Sequence, residues 1–320
     1  MAFAAQSFRP QRAGLLSWLA LVTVWILWGS TYLGIRVAVQ AIPPYLMAGT
    51  RFTLAGALLF VLVWFAQGRP HVRISRDDVR SVLAAAVLLL VIGNGLLCWS
   101  EVHLQSGTAA LLVATVPMWM ILIDAMLSRR LRLLPFVGIV LGSLGIGVLV
   151  GAPSQHASLV PIVLVLFGSL SWAVGSVYAR RTWTNHVNPL LPALEMLVAG
   201  VIMSIIGAAR GEVAQIHLAQ LPISAIYGWT WLVVAGAMIA YSAYGYAVRT
   251  LPTNVVATYA YINPIVAVLL GALILKEPLT WNVLAGGCAI VLSVVAIVID
   301  NRSNSNGSAR ESRSDISEAA

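Results

Sequence analysis

Charged residues are scarce in this chain. Only 9% of its 320 residues are Asp, Glu, Lys or Arg, whereas 60% are hydrophobic. A water-soluble domain carries roughly 25% charged residues and needs them to cover its surface. The sequence also lacks a polar stretch long enough to fold as a separate soluble domain, which excludes an extramembrane catalytic domain. The composition therefore predicts an integral membrane protein.

Cysteines and catalytic motifs are equally sparse. The two cysteines, Cys98 and Cys288, lie inside apolar runs, where a thiol acts as a small hydrophobic group and no disulfide or metal spacing is present. The sequence contains no His-Glu-x-x-His, no nucleophile elbow, no P-loop and no Rossmann fingerprint. We therefore expect no enzymatic activity, no metal and no cofactor, and we exclude ATP-driven transport by this chain alone.

Long apolar runs are abundant instead. A helix needs about 20 mostly apolar residues to cross a bilayer. The predicted fold is an all-α integral membrane bundle of ten transmembrane helices, over residues 14–36, 44–66, 79–99, 106–127, 133–151, 158–179, 189–208, 224–247, 254–275 and 279–299.

The basic residues predict the orientation of this bundle. Cytoplasmic loops retain Lys and Arg, whereas translocated loops do not. With the N-terminus inside, all of the 19 basic residues except Arg36, Arg51, Arg210 and Lys276 fall on the inner side. Because they lie in short clusters between apolar runs, we read them as topology signals and expect no nucleic-acid partner. We expect a bacterial inner-membrane protein with both termini cytoplasmic.

The two ends of the chain are predicted to lie outside the bundle. Residues 1–13 form a cytoplasmic N-terminal tail in this interpretation. Residues 300–320 are rich in Ser, Asn and charge, a composition typical of a disordered segment.

The two halves of the chain resemble each other. A shift of about 147 residues aligns Pro117 with Pro264, each in the middle of a span where a proline removes a helical hydrogen bond and is expected to introduce a kink. The repeats are 14–151 and 152–299. Five spans per repeat place the second copy upside down, and such inverted repeats are typical of secondary transporters. A duplicated scaffold without transport is the alternative.

Aromatic and polar side chains recur on particular faces of the spans. Trp28 and Tyr32 share a face of the first span, and Tyr259 and Asn263 share a face of the ninth. A polar group surrounded by hydrocarbon needs a partner, so these faces are expected to point into the bundle or into a wet cavity. We interpret them as walls of a cavity for a small amphipathic or aromatic metabolite. Interfacial belts and core packing are the alternatives.

Four ionisable residues within or near spans are candidates for coupling or gating. Arg51 and Glu195 occupy equivalent places in spans two and seven, where an unpaired charge costs several kcal/mol. One interpretation is that the two residues pair with each other across the contact between the halves. A second is that Glu195 binds and releases a proton, and a third is that both residues belong to purely structural salt bridges. The sequence does not decide among these three. Glu101 and His103 lie at the outer end of span three. A gating role is one interpretation for them, and ordinary solvation is the one we favour.

The sequence resembles the EamA family of the drug/metabolite transporter superfamily over residues 14–299. The motifs that carry the resemblance are Trp28-Gly29-Ser30-Thr31-Tyr32, Ala48-Gly49-Thr50-Arg51-Phe52, Ser106-Gly107-Thr108-Ala109-Ala110, Asn263-Pro264 and Lys276-Glu277-Pro278. Residues 171–178 and 195–200 are most similar to the YedA-like exporters within that family.

This resemblance implies a transporter that exports amino acids, related metabolites or drugs by alternating access, as a facilitator or a proton antiporter. Its expected partners are a small-molecule substrate, membrane lipid and, for antiport, protons; the chain is a monomer or a homodimer in this interpretation. The candidate substrate-binding residues are Trp28, Tyr32, Asn94, Trp172, Tyr178, Tyr241, Tyr259 and Asn263.

One departure from the superfamily bears on proton coupling. The small multidrug-resistance members use a carboxylate in their first helix for antiport, whereas spans one and six here contain no Asp or Glu. Glu195 is then the leading candidate for a coupling carboxylate. A membrane scaffold or assembly subunit is the competing function.

Overall fold

A computed structural model describes residues 14–66, 75–128, 133–150, 159–182, 190–251, 253–256 and 258–296. All regular secondary structure in these ranges is helical, which confirms the all-α prediction for this part of the chain. The main helices are α1 Leu15–Ala38, α2 Pro44–Ala66, α3 Arg76–Ser100, α4 Ser106–Val113, α5 Val116–Ser128, α6 Leu133–Val150, α7 Leu159–Thr182, α8 Leu191–Ala209, α9 223–250, α10 Tyr259–Ile274 and α11 Trp281–Ala296.

Seven helical stretches in the described ranges are long and apolar enough to cross a membrane. Three further apolar helices are shorter, namely Phe136–Leu149, Tyr259–Ile274 and Trp281–Ala296. Large apolar side chains such as Phe65, Leu273 and Trp281 point outward, as expected for a bundle surrounded by lipid. The predicted tails, 1–13 and 300–320, lie outside the described residues.

The two repeats share an unusual helical element. Helix α3 contains a π-helical stretch at Ala86–Asn94, and α9 contains one at Leu232–Ile239. A shift of about 147 residues superposes the two stretches in sequence. Because π-helical turns are rare and concentrate at functional sites, their recurrence supports the internal repeat. It also draws attention to Asn94, the last residue of the first stretch, and to Tyr241, which lies two residues after the second.

The two aligned prolines behave differently. The helix breaks at Ala114 and Thr115, so that Pro117 is the second residue of α5, where its missing N–H costs nothing. Pro264 lies inside α10, which continues through it. The helix is therefore interrupted at Pro117, in keeping with the distortion predicted there, whereas α10 continues unbroken through Pro264.

Helices α2 and α8 pack with their backbones in direct contact. A Cβ atom added to Gly56 would lie 2.8 Å from both the Ala193 carbonyl oxygen and the Leu197 amide nitrogen. A Cβ atom added to Gly200 would lie at the same distance from the Gly49 carbonyl oxygen. Small residues allow this approach, and close van der Waals packing is what holds helices together in lipid. The contacts run antiparallel, because Gly49 lies against Gly200 while Gly56 lies against Ala193.

Other helix pairs also join the first half of the chain to the second. In the α3–α7 pair, the Ser171 hydroxyl donates to the Leu88 carbonyl oxygen at 2.8 Å. In the α6–α11 pair, the Ser293 hydroxyl donates to the Gly138 carbonyl oxygen at 2.6 Å. These bonds satisfy polar groups within the bundle, where no water is available to do so.

Two glutamates that follow helices of the second half cap helices of the first half. Glu212 follows the left-handed residue Gly211 after α8, and its carboxylate accepts a hydrogen bond from the Leu46 amide at 2.9 Å, near the start of α2. Glu277 follows Lys276, which is also left-handed at φ 55°, after α10. A carboxylate at a helix N-terminus accepts from otherwise free N–H groups and complements the helix dipole.

Candidate functional site

Four aromatic rings from three helices meet inside the bundle. The Trp28 ring of α1 lies 6.2 Å from Tyr241 and 5.0 Å from Tyr244, both on α9, and 5.3 Å from Tyr259 at the start of α10, measured between centroids. Edge-to-face and tilted geometries of this kind are the favoured ones for aromatic pairs. We call these four residues the aromatic cluster.

Hydrogen bonds fix the orientation of the indole rings on α1. Trp28 Nε1 donates to the carbonyl oxygen of Gly236 at 3.2 Å, within the π-helical stretch of α9, and Trp25 Nε1 donates to the Thr258 hydroxyl at 3.1 Å. With its amide nitrogen facing these acceptors, Asn263 donates to the carbonyl oxygens of Trp25 and Tyr259, both at 3.2 Å. The predicted pair Tyr259 and Asn263 therefore sits at the α1–α10 contact.

Glu195 of α8 lies within electrostatic range of the Tyr241 hydroxyl. Its side chain is buried in α8, and the Oε1 atom has no hydrogen-bond partner. The interior of the bundle near the aromatic cluster thus combines electron-rich ring faces with a buried carboxyl group. Such an arrangement suits organic cations and planar or amphipathic molecules, because ring faces attract positive charge and stack with flat groups.

A second polar group surrounds Arg51. Its Nη2 atom donates to Asn94 Oδ1 at 2.5 Å, and the same oxygen accepts from the Cys98 thiol at 3.3 Å. The guanidinium carbon also lies 4.3 Å from the centroid of the Phe52 ring. Arg51 is only 4% exposed, and its Nε atom has no hydrogen-bond partner.

Arg51 and Glu195 do not form an ion pair in the structure. The antiparallel α2–α8 contact places Arg51 near the level of Gly200 and Glu195 near the level of Gly56. At 1.5 Å per residue, these levels differ by about 7 Å along the helix axis. This difference in axial level is the physical reason that their equivalent positions in the sequence do not bring them together.

Glu101 is completely buried, at 0% exposure, and neither carboxylate oxygen has a hydrogen-bond partner. The favoured interpretation of ordinary solvation is therefore wrong for this residue. Arg36 Nη1 donates to the main-chain carbonyl oxygens of Glu101 and Val102, the latter at 2.9 Å, and so ties the end of α3 to α1. His103 is exposed, and its ring lies 5.2 Å from that of Trp99.

Three further predicted site residues lie on α1 and α7. Tyr32 is 9% exposed and belongs to the apolar core. Trp172 packs against Gly93 of α3, one residue before Asn94, where an added Cβ would lie 3.0 Å from the indole. Tyr178 is 37% exposed near the end of α7.

Three residues that form hydrogen bonds between helices were not identified from the sequence. Trp231 Nε1 donates to the Ser30 hydroxyl at 2.9 Å, and Trp229 Nε1 donates to the Thr50 hydroxyl at 3.1 Å. A tryptophan near a span end reads as a belt residue, and only the tertiary fold shows these bonds. Glu277 is the third of these residues. The Lys-Glu-Pro motif drew attention to it in the sequence, but the motif does not indicate which helix its carboxylate caps.

Within the described ranges, no three His, Cys, Asp or Glu residues are grouped so that they could hold a metal ion.

Comparison with known proteins defines the class of this protein. The model of the EamA-like transporter family matches the chain twice, at residues 15–151 and 159–299. The chain therefore belongs to the EamA-like transporter family and is a membrane protein built from two copies of the family's repeat.

The chain is 38% identical over 288 residues to an inner membrane transporter of Escherichia coli strain K12, YedA, described as uncharacterized; the match covers 88% of this chain and 90% of YedA. It is 26% identical over 288 residues to a probable amino-acid metabolite efflux pump of Salmonella typhimurium; this match covers 85% of this chain and 91% of the pump. A crystal structure at 18% identity superposes with a TM-score of 0.63, covering 89% of this chain and 97% of that one, which supports the fold.

Proposed function

We propose that this protein is a secondary transporter that exports small organic metabolites, such as amino acids, related compounds or drugs, across the inner membrane by alternating access. The observation that carries the proposal is the aromatic cluster. It joins Trp28 of the first repeat to Tyr241, Tyr244 and Tyr259 of the second. A site shared by two repeats is the arrangement in which rocking one repeat against the other changes the side from which the site is reached.

The chemistry of this region favours a substrate with an aromatic or aliphatic body and a positively charged group. The four rings offer π faces, and the carboxyl group of Glu195 lies near Tyr241. The name of the Salmonella relative, an amino-acid metabolite efflux pump, is in keeping with a substrate of this kind. A buried carboxyl group with one oxygen that lacks a hydrogen-bond partner is costly, and a scaffold without transport activity gains nothing from it.

The proposed architecture has ten transmembrane helices in two inverted five-helix repeats, with both termini cytoplasmic. Support comes from the two matches of the family model, from the paired π-helical stretches and from the distribution of basic residues along the sequence. In this orientation Glu101, Glu212 and Glu277 lie toward the outer face, and Glu195 lies toward the inner face.

The experiment that tests the proposal is counterflow in proteoliposomes against a panel of amino acids, aromatic metabolites and organic cations. The Trp28→Ala variant should lower the counterflow rate at subsaturating substrate by about tenfold, corresponding to about 1.4 kcal/mol. Trp64→Ala is the matched control, because this tryptophan is 42% exposed and its ring stacks on Phe60 of its own helix. Equal activity of both variants would contradict the assignment of the site.

The two modes of transport are separated by Glu195→Gln. If the protein is a proton antiporter coupled through this residue, the variant loses the dependence of flux on a pH gradient while counterflow without a gradient persists. If the protein is a facilitator, flux in the parent protein is already independent of the gradient. Gradient-driven flux that is unchanged in the variant would exclude Glu195 as the coupling site.

A further inference from the structure

Glu101 is a buried carboxyl group whose environment the transport site does not explain. It is 0% exposed and both of its carboxylate oxygens lack hydrogen-bond partners. By contrast, the carboxylates of Glu212 and Glu277 accept bonds from main-chain amides. An ionised carboxylate without donors is strongly disfavoured away from water, so the neutral, protonated form is the one that suits this site.

The charges around Glu101 leave it without a direct partner. The titratable and charged groups that face it are Tyr32 and Arg36 on α1, Arg51 on α2, Cys98 on α3 and Glu277 after α10. Arg36 donates to main-chain oxygens and Arg51 donates to Asn94, and neither guanidinium donates to the carboxylate, whose two oxygens have no hydrogen-bond partner. Burial raises the pKa of Glu101 well above its usual range, the negative charge of Glu277 raises it further, and the two arginines oppose the shift.

Glu277 connects this carboxyl group to a contact between the halves. Its carboxylate accepts hydrogen bonds from the Ser106 amide at 2.8 Å, from the Ser106 hydroxyl at 3.0 Å and from the Gly107 amide at 3.2 Å. These bonds join the end of α10 to the start of α4, five residues after Glu101. We call this set of bonds the α10–α4 contact.

We propose that Glu101 is a proton-binding site that holds the α10–α4 contact closed. A proton from the aqueous phase on that side neutralises Glu101 and removes its repulsion with the part-exposed carboxylate of Glu277. Loss of the proton to the same phase leaves a negative charge at a fully buried site without donors and within the field of Glu277, which favours hydration of Glu101 and separation of the two carboxylates. The end of α10 then moves away from α4, and Glu101 becomes hydrated.

The direction of the pH dependence follows from proton linkage. In the closed arrangement Glu101 holds its proton, whereas a hydrated glutamate ionises with a pKa of about 4.3. The closed arrangement therefore binds more protons at neutral pH, and acid favours it. Between the two pKa values, each pH unit changes the ratio of closed to open molecules by up to about tenfold.

The native cysteines provide a direct test. Cys98 is 0% exposed, precedes Glu101 by less than one helical turn and contacts Asn94, whereas Cys288 is exposed. In a Cys288→Ser background, a membrane-impermeant maleimide added to intact cells reports opening through labelling of Cys98. The control is the same background with Glu101→Gln, which replaces the carboxyl group with a neutral carboxamide of the same shape. Labelling of this control measures how the maleimide reaction itself depends on pH.

From about pH 6 to about pH 8, above the ordinary pKa of a glutamate, the ratio of labelling in the Glu101 protein to labelling in the Glu101→Gln protein should rise severalfold. Glu101→Asp, which keeps a titratable group, should retain a rise with pH and covers the case in which the Gln variant fails to insert. A ratio that does not change with pH in intact cells or in inside-out vesicles would overturn the proposal.

The proposal rests on the proposed orientation but not on transport, and the assay separates the two. Labelling requires no substrate, so a failure of counterflow leaves it unaffected. If the pH-dependent ratio appears only in inside-out vesicles, the orientation is wrong and the role of Glu101 stands. Infrared difference spectra provide a second readout at neutral pH: replacing Glu101 with Gln should remove a protonated carboxyl band, and loss of ionised carboxylate bands instead would overturn the assignment.

Discussion

Substitution of Gly200 by alanine should destabilise the protein by separating α2 from α8. The new Cβ atom would lie 2.8 Å from the Gly49 carbonyl oxygen and closer still to the amide nitrogen and hydroxyl oxygen of Thr53. All of these atoms belong to backbone or to a short β-branched side chain, so none can swing away. Overpacking of this kind costs about 1–3 kcal/mol, while the helix propensity of alanine returns up to about 1 kcal/mol. We expect a net loss of about 1–2 kcal/mol.

Thermal unfolding in detergent, followed by the loss of the monodisperse peak in size-exclusion chromatography, measures this effect. Gly147→Ala in α6 is the matched control, because a Cβ atom added to Gly147 meets nothing within 4 Å. The control should unfold at or slightly above the temperature of the parent protein, and Gly200→Ala should unfold below it. Equal midpoints for the two variants would refute the claim that the α2–α8 contact is limited by backbone approach.

Three further predictions concern the polar contacts and the topology. Ser293→Ala removes the buried hydroxyl that donates to Gly138 at 2.6 Å and should cost about 1 kcal/mol in the same unfolding assay, whereas Ser143→Ala, at an exposed site bonded within its own helix, should change little. Glu277→Ala removes the cap of α4 and should lower stability by about 0.5–2 kcal/mol; an unchanged midpoint would show that the cap contributes nothing. A reporter fused after Asp300 should be active only in the cytoplasm, and periplasmic activity would reverse the proposed orientation.

Much of the fold was predictable because helices in lipid are specified locally. The apolar runs gave α1 and α2 to within two residues at each end, since each span must satisfy its own backbone hydrogen bonds. Pro117 marked a distortion in the fourth span, but the sequence did not show that one helix would end at Val113 and another begin at Val116. A proline removes a helical hydrogen bond without fixing how far the helix is interrupted.

The candidate site was predictable in its residue types and less so in its grouping. Three of the candidate substrate-binding residues, Trp28, Tyr241 and Tyr259, meet around the Trp28 ring. Asn94 instead joins Arg51. Sequence periodicity identifies which face of a helix a residue occupies, but the partner on the next helix depends on axial register and on the order in which helices pack.

The sequence by itself determined that this protein is a helical membrane protein with a duplicated half and few charges, because scarcity of charge and length of apolar run are properties of the chain alone. Only the tertiary structure decided what those few charges contact. It placed Arg51 and Glu195 at different depths, buried Glu101 and assigned Glu277 to the start of α4. The physical reason is that contacts between helices distant in sequence are set by their relative translation and rotation in the bundle, which no local pattern records.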